Sequence, residues 1–140
     1  LDQQLSLSVI HRRSSLDEIT INHPKGAGDN WAPILQAALA VGPKRVLLSL
    51  GSHGAAYSDG HTFCWARPPA IKEMSAVAAG DAAMAAALWA WMDDQPAEEI
   101  VRWAVASGTA TAMEDGSAIP RRERIDAVYR EVEVERLAPG

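Results

Sequence analysis

Residues 45–51, RVLLSLG, run through Val46, Leu47, Leu48 and Leu50 with only Ser49 between them, and stop at a glycine. A strand with one face in water alternates apolar and polar residues, and this one does not. The run therefore predicts a strand covered on both faces. We expect it in a parallel sheet, where helices pack on either side. That places the chain among α/β folds.

The flanking segments supply the covering layers. In the first 24 residues LSLSVI alternates like a strand, HRRSSLDE breaks it, and EITI reads as a second short strand. WAPILQAALAV (31–41) reads as a helix with Asp29 or Asn30 as its cap and Pro33 in its first turn, ended by Gly42-Pro43. Two short runs around Asp59-Gly60 (55–66) predict a hairpin. An extended stretch with two prolines (67–77) leads to a helix from about Asp81 to Trp91. The segment 96–113 opens with Pro96, Glu98 and Glu99, residues suited to a first helical turn, and carries a stripe of Ile100, Val101, Ala104 and Val105. A last helix covers 120–132 with Ile125, Val128 and Tyr129 as its apolar face, and EVEVERL alternates like a closing strand.

Composition narrows the partners. A chain of 140 residues holds one domain and one core. Its net charge of −5, without a long basic run, argues against nucleic acid, since phosphate neutralisation needs clustered Lys and Arg. Arg121, Arg122 and Arg124 are interrupted by Glu123 and read as a solvated helix start. No apolar run reaches the ~18 residues that cross a bilayer, and no signal-peptide pattern opens the chain. Cys64 is the only cysteine, which fits a cytoplasmic setting. The chain begins with Leu1, and we expect it to be a piece of something longer.

The chemistry concentrates in Ala78-Ala79-Gly80-Asp81, at the mouth of an Ala-rich helix. The first N–H groups of a helix lack internal partners and favour an anion. Small side chains let a phosphate approach them. A carboxylate beside that hole can take a proton from a hydroxyl while the amides stabilise charge on a transferring phosphoryl group. The plain alternative is that Asp81 only caps the helix. Gly26-Ala27-Gly28-Asp29 looks similar, but nothing upstream of it supplies a nucleotide loop, so Asp29 reads as a loop or cap residue.

The ordered series RVLLSLGSHGA, hairpin, PPAIKEMSAVAAGD, small-residue helix, VRWAVASGTATA, DGSAIP resembles the C-terminal part of the ribokinase-like sugar kinases. It is most similar to the phosphofructokinase B branch, which includes 1-phosphofructokinase and tagatose-6-phosphate kinase. The likeness covers about residues 40–137, and more weakly 11–40. It implies the C-terminal portion of a ribokinase-like, Rossmann-like three-layer sandwich. Residues 1–140 would form a single α/β nucleotide-binding domain fragment, without the sugar-binding half and lid.

It also implies an ATP-dependent kinase with Mg2+, acting on a hydroxyl of fructose 1-phosphate, fructose 6-phosphate or tagatose 6-phosphate. Asp81 would be the base, and Ala78, Ala79 and Gly80 the anion hole. Ser49, Gly51, Ser52 and Gly54 would fall on the nucleotide loop, Ser75 near the nucleotide, and 104–116 along the adenine.

Three departures stand out. The family's first motif glycine is Ala78 and its threonine is Ala76. Its K-P-N-x-x-E segment, which helps organise Mg-ATP, should fall near 11–18, where only Glu18 survives. These departures support a second reading, a degenerate and inactive nucleotide-binding or partner-binding module. Neither HxH nor HExxH spacing occurs among His11, His23, His53 and His61, so no zinc site is expected, and His53 reads as a solvated turn residue. Glu114 and Asp115 read as exposed loop acids. Trp89, Trp91 and Trp103 are expected in the core or at a contact between copies in a homo-oligomer.

Overall fold

The computed structural model describes residues 2–10, 16–24, 31–75, 78–116 and 118–138, with side chains from Trp31 onward. The run at 45–51 gives β3 (Arg45–Ser49), in which Val46, Leu47 and Leu48 are fully buried. Successive side chains go to opposite faces. Val46 and Leu48 pack with Trp31, Ala32 and Leu35 of the α1 region (α1, Ala32–Ala40), while Leu47 packs with the helices on the other face. β4 (Ala55–Ser58) and β5 (Phe63–Arg67) repeat the division. Ala55, Tyr57, Cys64 and Ala66 face one core, and Ala56, Phe63 and Trp65 the other. Each such large side chain taken out of water contributes about 1.5–3 kcal/mol, which makes both covering layers necessary.

The expected parallel sheet is not what forms. Among the described residues six strands run in the order β2-β1-β3-β4-β5-β6, with β1 (Asp2–Ile10), β2 (Leu16–Pro24) and β6 (Glu133–Arg136), and every neighbouring pair is antiparallel. For β3 and β4 the reason is connection length. β3 passes to β4 through a single 3₁₀ turn at Gly51–His53, far too short for a crossover. LSLSVI and EITI lie in β1 and β2, and EVERL closes the sheet through β6 at its edge.

The β4–β5 hairpin turns at Asp59-Gly60. Asp59 Oδ1 accepts from the His61 and Thr62 amides at 2.9 and 2.8 Å, and Ser58 Oγ accepts from the Gly60 amide at 3.0 Å. Partial burial opposes the charged carboxylate of Asp59, but the Thr62 and His61 amides, with Arg45 nearby, outweigh it and hold the carboxyl below its ordinary value. A lowered folded value makes this contribution complete above the unfolded carboxylate range and lost as pH falls through the folded value. Asp59→Ala is expected to lower stability by about 1–2 kcal/mol near pH 7. The gap to wild type should close in acid, as urea midpoints measured at several pH values would show.

The second layer is α2 (Ala79–Met92), α3 (Ala97–Ala112) and α4 (Arg122–Glu131). Pro96 precedes α3, and Glu98 and Glu99 occupy its first turn. The stripe of Ile100, Val101, Ala104 and Val105 is buried. On α4 only Val128 is fully buried, with Ile125 and Tyr129 packed partly against the core. The three tryptophans of the helical layer lie at the margin of its core rather than within it. Trp89 is 50% exposed, and Trp91 and Trp103 are only partly buried. Trp103 stacks on Tyr129 with centroids 4.0 Å apart and receives the edge of Trp89 at 6.0 Å. A second edge-on pair, Trp31–Trp65 at 6.1 Å, is buried on the opposite side of the sheet. Cys64 is buried, which pushes its thiol up to about 11 and leaves it without thiolate character at neutral pH.

Candidate active site

The mouth of α2 is built around Ala78, the residue before the helix, at φ 65° and ψ 2°. A residue preceding a helix normally has extended backbone, and a side chain at positive φ is strained. The chain thus holds an alanine in a conformation that glycine takes freely. Its side chain cannot cap, and the first helical hydrogen bond is Ala82 N–H to Ala78 O at 2.9 Å. The amides ahead of Ala82, including those of Ala79, Gly80 and Asp81, therefore have no carbonyl within the helix. A Cβ at Gly80 would meet nothing within 4 Å among the described residues. Asp81 is exposed in the same turn, three positions into the helix rather than at its cap. None of the side-chain hydrogen bonds or ion pairs among the described residues involves it.

Ala78→Gly relieves the strain but gives the unfolded chain more freedom. The net gain is expected at about 0.5–1 kcal/mol, read as a raised denaturant midpoint.

The α3 helix holds this turn from both directions. The Ala112 carbonyl accepts from the Met74 and Ser75 amides at 2.9 and 3.1 Å, which ties the incoming chain to the end of α3. Gly108 lies in the notch between Ala79 and Ala83 of α2. Reading the sequence missed both contacts. The available cue was a glycine inside a helical pattern, which often marks close packing.

The other expected site residues sit on a different support. Ser49 ends β3, and Gly51 and Ser52 are exposed in the 3₁₀ turn, with Gly51 at φ 60°. Gly54 is at φ 95°, where an added Cβ would lie 1.9 Å from the Ala66 carbonyl oxygen. Its lack of a side chain is thus required by β5. Trp65 Nε1 donates to the His53 carbonyl at 2.8 Å, which pins the turn to the sheet while the His53 side chain stays exposed.

Beyond the end of α3 a groove of about 620 Å3 opens between residues 69 and 71, residues 113, 114, 119 and 121, and α4. Ile71, Met113, Ile119 and Val128 give it apolar lining, and Arg124 pairs with Glu114 at 3.7 Å. Asp29 and Ala76 lie outside the described residues, and Glu18 is placed only as a backbone position in β2. No group of three ligating side chains able to hold a metal occurs among the described residues, and no described helix is long and apolar enough to cross a membrane.

A family model described as pfkB family carbohydrate kinase matches residues 18–124. The chain is 33% identical to ATP-dependent 6-phosphofructokinase isozyme 2 of Escherichia coli strain K12 over 86 residues, 61% of this chain and 28% of that protein. It is 26% identical to 1-phosphofructokinase of Vibrio cholerae over 107 residues, 74% of this chain and 34% of that protein. The crystal structure of phosphofructokinase-2 from Escherichia coli in complex with potassium superposes with a TM-score of 0.70 at 28% identity, covering 77% of this chain and 35% of that one. The chain spans about a third of the length of the relatives it matches.

Proposed function

Because the chain belongs to the pfkB family of carbohydrate kinases, we propose that the protein carrying it transfers the terminal phosphoryl group of ATP to a hydroxyl of a sugar phosphate. Fructose 1-phosphate, fructose 6-phosphate and tagatose 6-phosphate are the expected acceptors. The observation that carries this reading is the uncapped first turn of α2, where free amides and the exposed Asp81 carboxylate occur together. Asp81 accepts the proton of the sugar hydroxyl as its oxygen bonds to phosphorus. The bond from phosphorus to the bridging oxygen breaks, and ADP leaves. The amides of Ala78, Ala79 and Gly80 donate to the phosphoryl oxygens as their charge redistributes.

The turn carrying Ser49, Gly51, Ser52 and Gly54 approaches the remaining phosphates with backbone alone, and Ser75 lies beside the nucleotide. The adenine rests against 104–116, near the groove at Met113 and Glu114. Residues 1–140 act here as one nucleotide-binding domain. The open backbone over Gly80 fits an anion. Mg2+ suits such a site when it is carried by the ATP phosphates and water rather than by a protein cage, and it neutralises phosphate charge there.

The test is ADP release by the protein at its natural length, with Mg-ATP and a panel of sugar phosphates. Release that depends on one of them supports the kinase. A folded protein that binds ATP and releases none would favour the degenerate module, a reading supported by the strained alanine where the family places glycine.

A further inference from the structure

We propose that Gly108 of α3 is a positioning residue that sets where the first turn of α2 stands. The inference rests on the reading of that turn as the phosphoryl-transfer site. A Cβ at position 108 would lie 3.1 Å from the Ala79 carbonyl oxygen and 3.2 Å from Ala83 Cβ. Both distances are tighter than ordinary contact, so one side must yield by a few tenths of an ångström.

The side that yields is argued from what holds each element. The α3 helix packs against α2, α4, β4, β5 and β6, and its Ala104, Val105 and Ala106 are buried. The first turn of α2 is exposed at Ala78, Gly80 and Asp81 and begins with a strained residue that no side chain caps. The α2 turn therefore moves. Ala79 is the first helical residue; its carbonyl shares one peptide group with the Gly80 amide, and the Asp81 amide is in the next. A side chain at 108 thus pushes on the backbone that carries both the donors and the base. Residues 74 and 75 are held to α3 itself through the Ala112 carbonyl.

Alanine favours helix over glycine, so a purely structural role predicts that Gly108→Ala is neutral or stabilising. A positioning role predicts a fall in kcat of about ten-fold, with KM for both substrates held within about two-fold and no loss of melting temperature. Adding Ala83→Gly, which clears one of the two contacts, should restore part of the rate. In parallel, the amide resonances of Gly80, Asp81 and Ala82 are followed in 15N-labelled protein at its natural length. They should shift in Gly108→Ala and move back in the double variant.

Unchanged kcat in an active protein overturns the proposal, and so do unmoved resonances. If the wild type phosphorylates no sugar phosphate, the kinase reading fails by itself, and the resonances still decide whether Gly108 sets the turn. If Gly108→Ala does not fold, the double variant is compared with Ala83→Gly alone, and the Gly80 and Asp81 amides must differ between the two, or the proposal falls.

Discussion

On the proposed kinase reading, Asp81→Asn is expected to leave the protein at its natural length folded and able to bind ATP, and to slow sugar-phosphate phosphorylation by about 10²–10⁴-fold. The side chain keeps its size and loses the ability to take a proton. Asp81 is exposed, and no side-chain hydrogen bond or ion pair among the described residues uses its carboxylate, so little structure depends on its charge. A melting temperature within a degree or two of wild type separates lost chemistry from lost fold. Single-turnover kinetics with saturating ATP reads the chemical step. Turnover equal to wild type would mean that another group takes the proton and that Asp81 serves only the helix end.

Gly54→Ala is expected to prevent folding, or to remove more than about 4 kcal/mol of stability. Two effects coincide at that position. The backbone at φ 95° and ψ −131° is in a region essentially reserved for glycine, and the new methyl would stand 1.9 Å from the Ala66 carbonyl oxygen. That oxygen belongs to β5, opposite Ala55, so relief requires opening the β4–β5 pair. Gly51→Ala is the control. It also has positive φ but faces open space, and about 1 kcal/mol is the expected loss. Urea midpoints of the two variants isolate the steric part. A Gly54→Ala protein as stable as Gly51→Ala would show that the close approach to Ala66 does not exist.

The contrast between these glycines shows what the sequence could convey. Both fall in one motif, and the resemblance assigned both to nucleotide contact. That one of them is also demanded by a neighbouring strand depends on Ala66, which pairs only after the hairpin closes. The burial of β3 was legible because an unbroken apolar run has no face to give to water. Its antiparallel neighbours were misread, although five residues between Ser49 and Ala55 leave no room for a crossover. The start of α3 was legible from Pro96, Glu98 and Glu99, which act locally. Gly108 was not, because its meaning depends on Ala79 and Ala83 across a helix pair. Asp81 was found as a motif, but its place inside the helix and the positive φ of Ala78 are set by the folded backbone rather than by the letters. The ribokinase-like α/β fold, in its C-terminal portion, follows the resemblance.

The two edge-on tryptophan pairs give the fold its own optical labels. Trp31 and Trp65 are 3% and 6% exposed on the α1 side, whereas Trp89, paired with Trp103, is half in water on the helical side. The first pair should emit at short wavelength and resist acrylamide, and the second should emit further to the red and quench readily. Loosening of the helical layer, which carries the mouth of α2, would therefore change the red component before the blue. Each layer can be watched separately in the unmodified chain.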